Sequence, residues 1–123
     1  HSHPDIAARI LSLFDNYKDG STVCELGCGS GWVCHRLAER GFDTVGVDLS
    51  ESGIQTARRE GIKGARFIRD AIDSGLPGRM GLAGQCDVVL SNDVIEHLYR
   101  PADLIEAARG LLKPGGVMIR ICK

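Results

Sequence analysis

The chain has 123 residues, of which 43% are hydrophobic and 25% are charged, a composition typical of one globular domain. Its 15 basic and 16 acidic residues leave a formal net charge of -1, which argues against a nucleic-acid-binding protein and against attraction to an anionic membrane. No apolar run approaches the roughly 20 residues that span a bilayer, and no secretory signal is visible, so we expect no membrane segment.

The cysteines indicate the compartment. They lie at positions 24, 28, 34, 86 and 122, an odd set that does not form a disulfide framework, so we expect a protein of the reducing cytoplasm. The spacing of Cys24, Cys28 and Cys34 beside His35 does not match a zinc finger or a zinc ribbon, and we expect no metal site. Cys24 and Cys86 are expected to be small buried hydrophobic residues.

Apolar spacing and glycine punctuation divide the chain into alternating helices and strands. The glycine-rich segment 74–85 predicts a loop or a poor helix, and the sequence Lys-Pro-Gly-Gly at 113–116 predicts a turn. In chain order, the other predicted elements are a helix at 4–18, a strand at 21–26, a helix at 32–40, a strand at 42–47, a helix at 50–60, strands at 65–69 and 86–90, a helix at 101–112 and a strand at 117–122.

This alternation is typical of a doubly wound α/β domain with a mainly parallel sheet, here of five strands. Ligands of such domains bind beyond the carboxyl ends of the strands. The candidate binding residues are therefore those that follow each strand, namely 27–31, Asp48, Asp70 with Ala71, and 91–97.

A glycine loop, G-C-G-S-G at 27–31, follows the first strand. Glycine permits a tight turn and a close approach of backbone to ligand, and the helix behind the loop offers free N–H groups. A dinucleotide loop would have the pattern G-x-G-x-x-G, and the bulky Trp32 lies where a pyrophosphate would rest. A Walker loop would require G-K-[ST], which is absent.

Two acidic residues end the second and third predicted strands. A carboxylate at Asp48 can accept hydrogen bonds from both hydroxyls of a ribose, or it can cap the helix that follows. A carboxylate at Asp70 suits the amino group of a purine, with the backbone N–H of Ala71 for a ring nitrogen. The alternative for Asp70 is an ordinary surface turn.

Five segments in order carry a family resemblance: VCELGCGSG at 23–31, GVDLS at 46–50, RDA at 69–71, DVVLSNDVIEHL at 87–98 and LLKPGG at 111–116. They resemble the motifs of class I S-adenosylmethionine-dependent methyltransferases, which have a Rossmann-like fold. The resemblance covers about residues 21–122 and is strongest to the small-metabolite branch with the ubiquinone and menaquinone biosynthetic methyltransferases. It implies S-adenosylmethionine as cofactor and S-adenosylhomocysteine as product.

The resemblance also implies a role for each residue of the motifs. Glu25 would order the glycine loop and reach the amino group of the cofactor through water, and the loop would pass close to the methionine part. Leu49 would pack on the adenine, and Ser91 or Asn92 would lie under the sulfonium. The cofactor-binding residues implied in this way are Glu25, Gly27, Cys28, Gly29, Asp48, Leu49, Asp70, Ala71, Ser91 and Asn92.

Methyl transfer from a sulfonium is an in-line displacement, so the enzyme mainly has to hold the nucleophile about 3–3.5 Å away and aligned. The expected acceptor is an O, N or C atom of a small molecule, since the [ND]-P-P-[YFW] motif of amino-methylating DNA and glutamine enzymes is absent. His97 is the candidate base, because imidazole suits proton removal at neutral pH. Asp93, four residues earlier, could orient it. The alternative is that Asp93 caps a short helix and His97 only packs in the pocket.

The two ends of the chain carry expectations of their own. We expect residues 1–3, His-Ser-His, to be a cloning remnant and residues 4–123 to be the S-adenosylmethionine-binding core. The family has two further strands after the fifth, so we expect a truncated or incomplete chain with an uncovered strand edge. Two alternatives to the enzyme remain: a non-catalytic domain that binds the cofactor or a partner, and a nicotinamide-dependent oxidoreductase, against which the glycine pattern argues.

Overall fold

A computed structural model describes residues 4–92 and 100–121 of the chain. Among these residues, no helix has the length and apolar character needed to cross a membrane. The elements in chain order are α1 (Pro4–Ser12), β1 (Thr22–Leu26), α2 (Trp32–Glu39), β2 (Asp43–Asp48), α3 (Glu51–Glu60), β3 (Ala65–Arg69), α4 (Leu76–Met80), β4 (Cys86–Asn92), α5 (Pro101–Leu111) and β5 (Leu112–Ile121).

The five strands form one parallel sheet in the order β3-β2-β1-β4-β5. In register, Val23 of β1 lies between Thr44 of β2 and Val88 of β4. The predicted doubly wound α/β fold is confirmed. Chain order runs outward from β1 on one side and from β4 on the other, so the switch point, where such folds bind ligands, lies between β1 and β4.

Helices cover both faces of the sheet, as the burial of a parallel sheet requires. On one face, α4 and α5 pack on the side chains of β1, β2 and β4; the buried residues there are Cys24, Leu26, Val45, Val47, Ile72, Leu76, Cys86, Val89, Leu104, Ala107, Ala108 and Leu111. On the other face, α1 and α2 pack on β1 and β4, and α3 packs on β3 through Ile54, Ala57 and Phe67. Cys24 and Cys86 are fully buried, as predicted.

The first helix is shorter than its apolar spacing predicts. It ends at Ser12, and the N–H groups of Leu13, Phe14 and Asp15 then bond to carbonyls three residues earlier instead of continuing the α-helix. Phe14 nevertheless remains fully buried, with its ring centroid 5.6 Å from that of Phe42. The apolar side chains of this segment thus pack on the core from consecutive turns rather than from a continuous helix.

Two glycine-rich segments differ from their predictions. Residues 76–80 within the predicted loop form the short helix α4, which has Pro77 in its first turn and the fully buried Leu76 as its anchor. The predicted turn at 113–116 belongs to β5, whose pairing with β4 shifts register between Cys86 and Val88. Proline is tolerated there because β5 is an outer strand of the described sheet, with one side of its backbone outside the ladder.

Candidate functional site

The glycine loop lies at the carboxyl ends of β1 and β2. The N–H groups of Gly27 and Cys28 both donate to the carbonyl of Val47, at 2.7 and 3.0 Å. Gly29 has a φ of 57°, and a Cβ built on it would meet no heavy atom within 4 Å, so the space beside it is open. At Gly31, with a φ of 82°, a Cβ would lie 2.6 Å from the Phe67 ring. One glycine thus leaves room for a ligand, and the other permits close packing of the loop on the core.

Asp48 connects this loop to the start of α3. Its Oδ2 accepts from the N–H of Gly29 at 2.8 Å, and its Oδ1 accepts from the N–H of Ser50 at 2.9 Å. The residue is only 5% exposed. Ser50 is the helix cap, since its Oγ accepts from the N–H of Gly53 at 3.1 Å. A carboxylate offers about four acceptor positions, so Asp48 retains two for ligand hydroxyls.

Glu25 lies behind the loop on β1 and is buried. Its Oε1 accepts from the Cys34 thiol at 3.4 Å. Burial raises the pKa of Glu25 to about 8, against the opposing effect of the Cys34 hydrogen bond, and the charge of Asp48 adds to the rise. Burial also raises the pKa of the Cys28 thiol, so that this cysteine is not a nucleophile at neutral pH. The raised pKa therefore favours the protonated form of the Glu25 carboxyl group at neutral pH.

The end of β3 adjoins the end of β2, because the N–H of Asp70 donates to the carbonyl of Asp48 at 3.2 Å. The Asp70 carboxylate accepts from the N–H of Ala71 at 2.7 Å and from Nε of Arg79 at 3.2 Å. The N–H that Ala71 was expected to offer to a ring nitrogen thus bonds to Asp70 in this structure. Sequence reasoning missed Arg79, because its contact with Asp70 depends on α4, which the glycine-rich segment did not predict.

The other expected site residues differ in their burial and contacts. Leu49 is exposed and its carbonyl accepts from Nε of Arg69 at 3.0 Å. Ser91 is fully buried next to β1, and its Oγ has no hydrogen-bond partner in the described part of the chain. Asn92 ends β4, where its backbone is opposite Ile121 of β5. The candidate base His97 and its partner Asp93 lie outside the described residues.

Helix α2 carries two aromatic side chains close to the loop. Trp32 begins the helix, is 37% exposed, and has the Arg36 guanidinium 5.5 Å from its ring centroid. His35 is fully buried and its Nε2 donates to the carbonyl of Ala57 at 2.8 Å, which ties α2 to α3. Nε2 of His35 is thus engaged in a hydrogen bond between two helices.

The structure thus gathers Glu25, Cys28, Gly29 and Asp48 at one edge of the sheet, with Asp70 one strand further along. Residues 1–120 match the model of a protein family described as a methyltransferase domain. The chain belongs to this family. The resemblance inferred from the sequence motifs is therefore confirmed.

Relatives of known sequence and proteins of known structure that are similar to this chain are also methyltransferases. The ubiquinone biosynthesis O-methyltransferase of Caulobacter vibrioides is 36% identical over 102 residues, which are 81% of this chain and 40% of that protein. An S-adenosylmethionine dependent methyltransferase from Mesorhizobium loti has a TM-score of 0.74 at 26% identity, over 94% of this chain and 52% of the other.

A third similar structure is that of phosphoethanolamine N-methyltransferase 2 from Haemonchus contortus, in complex with phosphomonomethylethanolamine and S-adenosylhomocysteine. It has a TM-score of 0.73 at 25% identity and covers 93% of this chain but only 27% of the other. The chain spans about two fifths of the length of the curated relatives that it matches.

Proposed function

We propose that this methyltransferase domain binds S-adenosylmethionine and transfers its methyl group to a nucleophilic atom of a small molecule. The observation that carries the proposal is the buried Asp48 carboxylate, which is fixed by the Gly29 and Ser50 N–H groups beside an open glycine loop. A carboxylate in that position can accept from two neighbouring hydroxyls of a ribose. The methyltransferase family match supports the choice of this cofactor over a dinucleotide.

The residues present fit such a cofactor. The open side of Gly29 leaves room for a chain to pass against the backbone. Ser91, buried at the switch point, has an Oγ without a partner in the described residues, so a ligand group there would satisfy a costly unpaired hydroxyl. The exposed Leu49 side chain, directly after Asp48, offers an apolar surface for a purine ring.

The buried Glu25 can supply a negative charge to the methionine end of the cofactor once its carboxyl group ionises. Burial raises the pKa of its carboxyl group to about 8, and the negative charge of Asp48 adds to the rise. A ligand ammonium group close by favours the ionised carboxylate, so binding would release a proton near neutral pH. Glu25 then neutralises the ammonium group from beneath the loop, directly or through water.

When bound, S-adenosylmethionine supplies a methyl group already activated by the positive charge of its sulfur. The contribution of the chain is to hold the reactants about 3–3.5 Å apart and aligned, and to exclude water. A hydroxyl acceptor loses one proton in the transfer, and His97 remains the predicted base for that proton. The alternative role for His97 is to pack in the pocket without taking the proton.

An oxygen atom is the first candidate for the acceptor. The similar ubiquinone biosynthesis proteins are named O-methyltransferases, at 31–36% identity. The Haemonchus protein is named an N-methyltransferase, at lower identity. We therefore propose a hydroxyl of a small molecule as the acceptor.

We also propose a cytoplasmic location, since Cys24, Cys28, Cys34 and Cys86 are all free thiols.

Calorimetric titration with S-adenosylhomocysteine, with NAD as the control ligand, tests the proposal. We expect micromolar binding of S-adenosylhomocysteine alone. Asp48→Ala should weaken it at least about tenfold, because two hydrogen bonds to a charged group are lost. Asp43→Ala is the matched control, since Asp43 begins the same strand at its other end. Binding of NAD instead, or equal affinities of the two variants, would reject the proposed site.

A further inference from the structure

A single side chain of α4 spans the loop that follows β3. Nε of Arg79 donates to Oδ2 of Asp70 at 3.2 Å, and its Nη2 donates to the carbonyl of Ala71 at 3.0 Å and to Oδ1 of Asp73 at 2.9 Å. The guanidinium therefore binds three acceptors on three residues within one short loop. Lysine could not reproduce this arrangement, because its ammonium group lacks the planar fork of donors.

The backbone around the guanidinium is shaped to admit it. A Cβ built on Gly75 would lie 2.5 Å from Nη1 of Arg79, so a side chain at position 75 would displace the guanidinium. The N–H of Gly75 donates to the same Asp73 Oδ1 that accepts from Arg79, at 3.0 Å. This geometry goes beyond a surface ion pair between two free side chains, which usually contributes little.

The contacts also fix the direction of the Asp70 carboxylate. Oδ1 accepts from the N–H of Ala71 and Oδ2 accepts from Arg79, so a turn of the carboxylate out of its present plane would break both hydrogen bonds. Two of the roughly four acceptor positions of the carboxylate remain open. Asp70 thus presents acceptors, and no donor, to a ligand at the end of β3.

We propose that Arg79 is a positioning residue that makes the site select adenine over hypoxanthine. The inference rests on the proposed function and on the expectation from the sequence that Asp70 accepts from the exocyclic amino group of the adenine. Hypoxanthine has a carbonyl oxygen at that position, which would face the fixed oxygens of Asp70 without a shared proton. Arg79 contacts Asp70 directly, so it acts on selectivity through the orientation of the carboxylate.

The test compares the dissociation constants of S-adenosylhomocysteine and S-inosylhomocysteine for the whole chain and its variants. We expect the unaltered chain to prefer the adenine compound at least about tenfold, the size of one hydrogen bond to a charged group. Arg79→Gln should weaken binding of the adenine compound about fivefold or more and leave the inosine compound nearly unchanged. A purely structural role would weaken both ligands equally.

Arg66→Gln is the matched control, because Arg66 lies on β3 and its exposed guanidinium is 4.0 Å from the carboxylate of Asp43. It should not change the ratio of the two dissociation constants. In an Asp70→Asn background, Arg79→Gln should have no further effect on the ratio. If Arg79→Gln does not fold, Asp73→Asn takes its place and should lower the ratio by a smaller factor.

The outcomes separate the two proposals. Equal weakening of both ligands by Arg79→Gln, or an unchanged ratio, overturns the role of Arg79 while the binding site stands. If the unaltered chain binds neither ligand, and denaturation shows that it is folded, the proposed function is overturned together with this inference.

Discussion

Asp48 ends β2 and Asp70 directly follows the neighbouring strand β3, yet their carboxylates are held differently. Asp48 is 5% exposed and its two oxygens accept from main-chain N–H groups. The Asp70 side chain is 27% exposed; one of its oxygens accepts from the main-chain N–H of Ala71, and the other accepts from a guanidinium that is itself 42% exposed. Main-chain groups therefore hold both oxygens of Asp48, whereas one oxygen of Asp70 depends on a replaceable side chain. Affinity should therefore depend on the Asp48 side and selectivity on the Asp70 side.

The largest expected effect is on the free energy of unfolding, and it comes from a substitution in the glycine loop, on the buried side of the site that contains Asp48. Gly31→Ala places a Cβ 2.6 Å from the Phe67 ring in a residue with a φ of 82°, so strain and overpacking add. The free energy of unfolding, measured with urea, should fall by about 2–5 kcal/mol.

Gly29→Ala is the control for this change, since Gly29 also has a positive φ but open space at its Cβ. It should lose only the strain, about 1–2 kcal/mol. Equal losses in the two variants would show that the loop is not packed against Phe67 as described.

The second prediction compares how much each of the two carboxylates contributes to the free energy of unfolding. Asp48→Asn should lower the free energy of unfolding by about 1–3 kcal/mol, because one buried N–H loses its acceptor. Asp70→Asn lies at the surface and should change it by no more than about 0.5 kcal/mol. Parallel urea denaturation of both variants measures the difference. A larger loss for Asp70→Asn would reverse the comparison.

A third effect concerns pH on the buried side. The pKa of Glu25 is about 8 in the folded chain and 4.5 as its ordinary value, so between these values the unfolded state binds one proton fewer than the folded state. The free energy of unfolding should therefore fall by about 1.4 kcal/mol per pH unit across this window and level off above it. Glu25→Gln should remove that slope.

Urea denaturation at a series of pH values measures the slope. Glu106→Gln, which neutralises a side chain that is 56% exposed on α5, is the control for the change in net charge. If the slope survives in Glu25→Gln, the carboxyl group of Glu25 is not the buried acid that the structure indicates.

The smallest effect concerns salt on the exposed side. The Arg79–Asp70 pair faces solvent, so added salt screens it, whereas the main-chain contacts of Asp48 are buried. Raising the ionic strength to about 1 M should reduce the preference for S-adenosylhomocysteine over S-inosylhomocysteine by about twofold. Competition binding at two salt concentrations measures this. A preference that rises with salt would contradict the role of the ion pair.

The sequence predicted the parts of the site that local rules govern. The pattern of strands followed by glycine or aspartate predicts that the loop and Asp48 lie at one edge of the sheet, where the structure has them, because parallel strands bring their carboxyl ends together. The cap at Ser50 was also predicted, from its position before a helical segment.

What the sequence could not predict depends on packing between distant segments. The Cys34 thiol reaches Glu25 only after α2 folds back on β1, and Arg79 reaches Asp70 only after α4 forms. Proline and two glycines at 114–116 predicted a turn, and only the outer position of β5 in the sheet explains why they extend a strand.

Trp32 has a consequence of a practical kind. It is the single tryptophan of the chain, it directly follows Gly31, and it is partly exposed beside the Arg36 guanidinium. The indole is therefore a built-in fluorophore at the rim of the glycine loop. Any ligand that settles on the loop changes the water and charge around this ring, so its emission reports binding without a label.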